Sequence, residues 1–304
     1  MKRIGGAALL LSSIFLISTP VSSAPAPAAS AAKTRQEWTQ IASDKKYGKL
    51  FSPSRVKVES SVNGVATRIG AWIKTSYTVE GARETIEAYG IEKSIPDPGK
   101  LSYSVGYVEV VPQERKLFYV KEDFYDAEGN ALWSTVYEPP KEHEINHRKF
   151  EEDYYVAIVD RVFHHGEREQ KDSEDRWKHL WEKQSGGRTT HAYGDMTTMR
   201  LSGDNLIYWE FQETKDSEGN TVEVHFLKKA LNPGKGAEKV IKAQVWTLGK
   251  GWEDVKTDGR YVTISKGDPA YEGLERLRAI VKGYQYWLNR YRTDLPKKPS
   301  AKKN

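Results

Sequence analysis

Ser54–Tyr77 reads SRVKVESSVNGVATRIGAWIKTSY, and this stretch decides the fold that the sequence predicts. Asn63-Gly64 is a strong signal for a two-residue hairpin turn. Ser54–Val62 alternates in part between polar and apolar residues, and Val65–Tyr77 is rich in strand-forming residues. The stretch therefore predicts two antiparallel strands joined by a tight turn.

The tryptophan in this stretch belongs to a pattern that occurs twice in the chain. Three tryptophans and one apolar helical run recur in the same order. They are Trp38, Trp72, Trp133 and Ala157-Ile158-Val159 in the first copy, and Trp177, Trp209, Trp252 and Ala279-Ile280-Val281 in the second. An insertion near residues 81–100 accounts for the longer middle interval of the first copy. The duplication predicts two similar domains with these tryptophans in their cores.

The remaining patterns are mostly those of strands, and each copy closes with one helix. Further strands are predicted at Leu101–Val111, Arg115–Tyr125, Ala131–Tyr137, Thr197–Leu201, Asn205–Gln212, Val222–Lys229, Lys239–Leu248, Glu253–Thr257 and Arg260–Ile264. Apolar residues recur every three or four positions in Phe150–Val162 and in Tyr271–Leu288, which is typical of amphipathic helices. The predicted fold class is therefore α+β: two tandem repeats, each an antiparallel β-sheet with a C-terminal helix packed on it.

Composition sets the predicted boundaries. The segments are a signal peptide at 1–24, a flexible linker at 25–36, a first α+β repeat at 37–163, a charged linker at 164–175, a second α+β repeat at 176–294 and a basic disordered tail at 295–304. His164–Arg176 contains no apolar residue, so we expect an exposed connector there.

The first 24 residues have the pattern of a cleavable export signal. Lys2 and Arg3 precede an apolar run at Ala7–Ile17, and small residues suit cleavage after Ala24. The protein is therefore predicted to be exported, to the periplasm or the medium or to the cell surface. No later segment is apolar enough to predict a transmembrane segment. The chain has no cysteine, which excludes disulfides and thiolate chemistry.

The net charge argues against nucleic acid as a partner. The formal charge is +5, but removal of Lys2 and Arg3 leaves 45 basic and 42 acidic residues. Four of these basic residues lie in the tail, and the others are interleaved with Asp and Glu rather than gathered in a stripe.

One motif suggests an alternative in which the protein is a zinc-dependent enzyme. His143-Glu144-Ile145-Asn146-His147 matches H-E-x-x-H, in which a helix presents two imidazoles to zinc and a glutamate activates water. Pro139 and Pro140 come just before it, and the second copy has no histidine at the matching place. We therefore predict no metal and no cofactor, and keep His143, His147 and Glu144 as the alternative zinc site.

Aromatic residues are abundant, with nine Trp and seventeen Tyr. Exposed aromatic side chains often mark interfaces or sugar-binding surfaces. Trp181, Trp246 and Trp287 fall outside the repeated set, so they are the predicted ligand-binding residues.

The first copy also resembles the surface-adhesin protein E-like domain of bacteria. The resemblance is carried by an early Trp, by Trp72-Ile73-Lys74 and by Gly129–Trp133 before a helix with an acidic start. In the second copy Trp209-Glu210 replaces the W-x-K pair. The resemblance implies a small mixed α+β domain exported to the envelope, which in some members contacts host matrix or plasma proteins. The absent lipid-anchor cysteine departs from members held in the outer membrane.

The sequence thus predicts an exported, non-catalytic, adhesin-like binding protein of the bacterial envelope, with a protein or envelope material as its ligand. Two alternatives stay open. One is a zinc-dependent hydrolase built on the H-E-x-x-H segment, and the other is a purely structural envelope protein.

Overall fold

The Asn63-Gly64 turn forms as predicted. Asn63 has a φ of 51° and Gly64 one of 79°, the left-handed values that a type I′ turn needs at both positions. It joins β3 (Lys57–Val62) to β4 (Val65–Tyr77), which pair antiparallel. The computed structural model describes residues 37–295. The predicted signal peptide, the flexible linker and the tail after residue 295 lie outside the described residues.

The first half of the described chain forms one antiparallel sheet of seven strands. The other five strands are β1 (Thr39–Ser43), β2 (Tyr47–Phe51), β5 (Tyr103–Val111), β6 (Lys116–Tyr125) and β7 (Ala131–Glu144). Their order across the sheet is β1-β2-β4-β5-β6-β7, with β3 paired to β4.

The second half forms an antiparallel sheet of eight strands. They are β8 (Trp177–Ser185), β9 (Arg188–Asp195), β10 (Arg200–Ser202), β11 (Asn205–Lys215), β12 (Thr221–Asn232), β13 (Ala237–Thr247), β14 (Gly251–Val255) and β15 (Val262–Thr263). The order is β8-β9-β11-β12-β13-β14, with β10 paired to β11 and β15 to β13. The two halves therefore have the same strand order, as a duplication requires.

Local details repeat as well. The pairing of β5 with β6 shifts register at Tyr107/Val108, and that of β12 with β13 shifts at Lys228/Lys229. After the last strand of each half an isoleucine amide donates to a turn carbonyl at 2.8 Å: Ile145 to Arg115, and Ile264 to Gly236. The duplication therefore extends to individual hydrogen bonds.

Five α-helices and three single-turn 3-10 helices accompany the sheets in the described residues, and the α-helices are the longer elements. They are α1 (Val79–Tyr89), α2 (Glu152–Phe163), α3 (Glu167–Asp172), α4 (Pro269–Gly283) and α5 (Gln285–Leu288). α1 lies in the insertion predicted near 81–100; the Thr78 side chain caps its start, and left-handed Gly90 ends it. None of the helices in residues 37–295 has both the length and the apolar composition needed to span a membrane.

The predicted α+β class is wrong, because the protein is dominated by its sheets. Strands hold 47% of the described residues and helices 22%. The first two strands of each half were not predicted. β1 and β2 have only five residues each, and β8 and β9 are rich in polar residues, so their alternation is weak.

Each sheet has a helical face and an outer face. The apolar side of α2 packs on the first sheet with Ile73, Val108 and Leu117 at the contact. On the second sheet, Leu274 and Leu277 of α4 contact the core in the same way. We call the sheet face under α2 or α4 the helical face and the opposite one the outer face.

The predicted exposed connector is wrong for two of its residues. Glu167 is 0% exposed and Arg176 is 9% exposed. Glu167 bridges the halves, because Arg115 Nη1 lies 3.2 Å and Arg290 Nε 2.6 Å from its carboxylate. Burial alone would raise the pKa of Glu167, but Arg290 and Arg115 outweigh it and hold this pKa below its ordinary value. Two charged residues of a segment with no apolar residue are thus buried through ion pairs.

Candidate functional site

The outer face of the first sheet is an open surface with paired aromatic rings. Along β5 the side chains alternate strictly, so that Tyr103 and Tyr107 are partly exposed while their neighbours are buried. Trp72 lies directly opposite Tyr107, and Tyr125 lies directly opposite Tyr103. We call these four residues the aromatic face.

The rings form two separate pairs. The Tyr103 and Tyr125 rings are stacked, with centroids 5.1 Å apart and planes 18° apart. The Trp72 and Tyr107 centroids lie 5.3 Å apart, with a tilt of 52°. The pairs are four residues apart on one strand, which places them roughly 13 Å from each other at the usual rise per residue. The face therefore offers two aromatic platforms in line.

Tyr107 lies across the strand rather than pointing away from it. A Cβ atom on Gly70 would come within 2.1 Å of the Tyr107 hydroxyl oxygen, so only glycine leaves room for the ring. The hydroxyl donates a hydrogen bond to Glu59 at 3.2 Å. Burial and the nearby Glu59 raise the pKa of Tyr107 to about 12. The Tyr107 side chain therefore lies over Gly70, with its hydroxyl held by Glu59.

Charged side chains lie among the rings. Lys74 Nζ is 3.8 Å from the Tyr103 ring centroid, and partial burial lowers the pKa of this lysine. Lys121 Nζ is 5.6 Å from the Trp72 ring and 2.9 Å from Asp123. Such cation–π contacts contribute about 0.5–1 kcal/mol each at exposed sites, so a ligand can displace the lysines at modest cost.

The matching part of the second sheet is covered. Trp209, the counterpart of Trp72, is 4% exposed and stacks on Phe226 with centroids 4.3 Å apart. The His147 ring meets Phe226 edge-on at 4.7 Å and Trp177 at 4.9 Å. The segment after β7 therefore closes the middle of the second outer face and leaves the first one open.

The repeated tryptophans are not all in the core. Trp133 packs edge-on against Phe124 on the helical face, at 5.4 Å. Trp252 lies on the outer face and is 40% exposed, with the Arg148 guanidinium 3.5 Å from its ring centroid. The expectation of a shared core position is wrong for exposed Trp252 and also for Trp38, Trp72 and Trp177, which are partly exposed and belong to no core cluster of the described residues. A one-residue difference in register moves a side chain to the other face of a sheet.

The H-E-x-x-H segment does not form a helix. His143 and Glu144 end β7, and His143 Nδ1 lies 3.0 Å from Glu151. Glu144 is ion-paired with Lys228 and Lys242. Burial would raise the pKa of Glu144, but the two lysines hold it below its ordinary value.

His147 points into the aromatic cluster at the second sheet instead. Burial there lowers its pKa to about 4. The two histidines thus contact different halves of the protein, and the arrangement of a zinc helix is not formed.

The three predicted ligand tryptophans lie on three different elements. Trp287 of α5 is 9% exposed, and its indole N–H donates to the Met196 carbonyl at 2.8 Å. Trp181 of β8 packs against α4, where a Cβ on Gly273 would come within 2.7 Å of the indole. Trp246 of β13 is partly exposed and faces Trp252 across the strand pair. The structure therefore does not bring them together in one pocket.

The residues of the aromatic face other than Trp72 were missed, although a signal existed. Tyr103, Val105 and Tyr107 alternate with small or apolar residues in a segment predicted to be a strand, which marks one face as aromatic. The two best-formed cavities of the described residues have volumes of about 220 and 250 Å³. Pockets for small ligands are usually larger, so a surface is the better candidate.

The chain matches no known family model, and it matches no curated protein in sequence.

Proposed function

We propose that this protein is an exported, non-catalytic binding protein of the bacterial envelope that holds a polysaccharide on its aromatic face. The observation that carries the proposal is the pair of aromatic platforms on an open sheet whose duplicate is covered. The export pattern at residues 1–24 supports the envelope as the location, and the resemblance to surface-adhesin protein E-like domains agrees with it.

A polysaccharide suits the chemistry of this face. Sugar rings have C–H surfaces that pack on aromatic rings and hydroxyl groups that form hydrogen bonds with charged side chains. Tyr103 and Trp72 supply the first kind of contact, and Lys74, Lys121 and Asp123 lie beside them for the second. Two platforms in line suit a polymer better than a single sugar.

A protein ligand suits it less well. The centre of a protein interface is depleted in charged residues, whereas here Lys74 and Asp123 flank Val105 between the two aromatic pairs.

The test is binding of the mature protein to an array of bacterial polysaccharides and to isolated cell-wall sacculi. Trp72→Ala and Tyr103→Ala are each expected to weaken binding at least tenfold, because each removes one platform. Tyr286→Ala is the matched control, since Tyr286 is 71% exposed and lies outside the aromatic face. The proposal fails if the wild type retains no polysaccharide, or if Trp72→Ala, with an unchanged circular dichroism spectrum, binds as the wild type does.

A further inference from the structure

A second cluster of reactive side chains lies on the outer face of the β8–β9 hairpin. Gly186 and Gly187, with φ of 58° and 74°, form its two-residue turn. His191 lies directly opposite Glu182, and His179 lies opposite Tyr193 on the same face. A register shift between His179 and Trp181 directs Leu180 into the core. The bulge thus brings His179 and Glu182 to one side of the strand.

The three groups are close enough to share an ion. One ligand atom from each of His179, Glu182 and His191 lies within 4.8 Å of the other two. Glu182 Oε2 is 3.3 Å from His191 Nδ1, and the two imidazole centroids are 6.3 Å apart. We propose that this cluster, the hairpin triad, binds one divalent transition-metal ion such as Zn²⁺.

The donor set fits such an ion. Two imidazole nitrogens and one carboxylate oxygen are common zinc ligands, and they leave a fourth position for water. Imidazole also favours Cu²⁺ and Ni²⁺ over the hard ions Mg²⁺ and Ca²⁺, which prefer oxygen ligands. Glu182 and His191 are partly exposed, so an ion can enter from solvent.

The first half serves as an internal comparison. The same bulge occurs there between Gln40 and Ala42, and it directs Ile41 inward. The positions that match His179, Glu182 and His191 are Gln40, Ser43 and Gly48. The scaffold therefore does not need a histidine or a carboxylate at these places, and the triad is a property of the second half alone.

Arg276 of α4 competes with the ion. Its Nη1 donates to His179 Nδ1 at 2.7 Å, so the proton of the neutral ring lies on Nε2. Binding at either nitrogen requires Arg276 to turn away. The Arg276 side chain is 42% exposed and already pairs with Glu272, one helical turn earlier. It can therefore leave His179 and keep its ion pair with Glu272. Loss of Arg276 should therefore strengthen metal binding.

The experiment is calorimetric titration of Zn²⁺ into the untagged mature protein, freed of metal with chelator and then of chelator. One ion per chain is expected. His191→Ala should weaken binding at least tenfold, and Arg276→Ala should strengthen it severalfold. His143→Ala and His225→Ala are matched controls expected to bind as the wild type does.

Either of two results, one with the wild type and one with His191→Ala, would overturn the proposal. One is the absence of stoichiometric binding by the wild type, and the other is unchanged binding by a folded His191→Ala variant. Loss of the ion in His143→Ala would assign it to the H-E-x-x-H segment and also reject the triad. Weaker binding of Zn²⁺ by Arg276→Ala would contradict the inference that Arg276 competes with the ion for His179. None of these results depends on whether the aromatic face binds a polysaccharide.

Discussion

His147→Leu is expected to remove a large part of the acid sensitivity of this fold. The imidazole lies among Trp177, Phe211 and Phe226, and its buried Nδ1 has no hydrogen-bond partner within residues 37–295. Burial lowers its pKa from 6.5 to about 4. The folded protein therefore holds this ring neutral at a pH where the unfolded chain protonates it.

The sign and size of this pH effect on the free energy of unfolding follow from proton linkage. Below pH 6.5 the unfolded state binds a proton that the folded state does not, so the free energy of unfolding decreases as the pH falls. The decrease levels off below the folded pKa of about 4. The full shift of the His147 pKa corresponds to roughly 3 kcal/mol, because each pKa unit is worth about 1.4 kcal/mol. Between pH 7 and pH 5 the expected loss from His147 is about 2 kcal/mol.

The assay is urea unfolding of the wild type and of His147→Leu at pH 5, 7 and 8. From pH 7 to pH 5 the wild type should lose about 2 kcal/mol more than the variant. From pH 7 to pH 8 the difference between them should stay constant, because the ring is neutral in both states there. If the two proteins lose the same free energy between pH 7 and pH 5, within about 0.5 kcal/mol, His147 is not held neutral by burial.

Three further predictions test the junction and the aromatic face. Glu167→Gln should lower the free energy of unfolding by about 3 kcal/mol in urea denaturation, because it leaves two buried arginines without their shared carboxylate. Gly70→Ala should cost about 1 kcal/mol in the same assay and should also weaken polysaccharide binding, since the new methyl group lifts the Tyr107 ring. Fragments 25–168 and 170–304, expressed separately, should show lower melting temperatures by circular dichroism than the whole chain, and mixing should restore part of the loss, because Glu167 and Arg290 then lie on different fragments.

Controls for these predictions come from the same chain. Glu169→Gln removes an exposed carboxylate two residues from Glu167 and should change stability by less than about 0.5 kcal/mol. Gly283→Ala adds a methyl group where no atom of another described residue outside its own helix lies within 4 Å, so it should be neutral or stabilising. A Glu167→Gln variant as stable as Glu169→Gln would mean that the buried pairs do not hold the halves together. Two fragments that each melt at the temperature of the whole chain would show that the halves are independent.

The sequence predicted best what short-range signals determine. The bounds of β4 agree with the prediction residue for residue, because Asn63-Gly64 sets its start and the next residues favour a strand. The closing helix α2 was predicted within two residues, since its apolar stripe has a clear helical period. The hairpin of β8 and β9 was missed although Gly186-Gly187 marks its turn, because polar residues on both faces hide the alternation.

The candidate site could be predicted only in part, because face exposure depends on distant residues. Trp72 and Trp209 hold matching positions in the two sheets, yet one is partly exposed and the other buried. Trp209 stacks on Phe226, and His147, which lies in the first half, packs on the same Phe226, so a distant segment contributes to the difference. A pattern within one strand shows which side chains share a face but not what covers that face.

The duplication makes the differences between the halves informative. Both sheets have the same strand order and share two bulges, so a feature that stability alone required should occur in both. The aromatic platforms are open only in the first half, and the hairpin triad has counterparts in the first half that cannot bind metal. Each half therefore keeps one surface that its duplicate shows to be unnecessary for folding, and these two surfaces are where a function is best sought. If the variants at both surfaces left all binding unchanged, the inference that a surface present in one half alone carries a function would be wrong. A purely structural role of the protein would then become the better hypothesis.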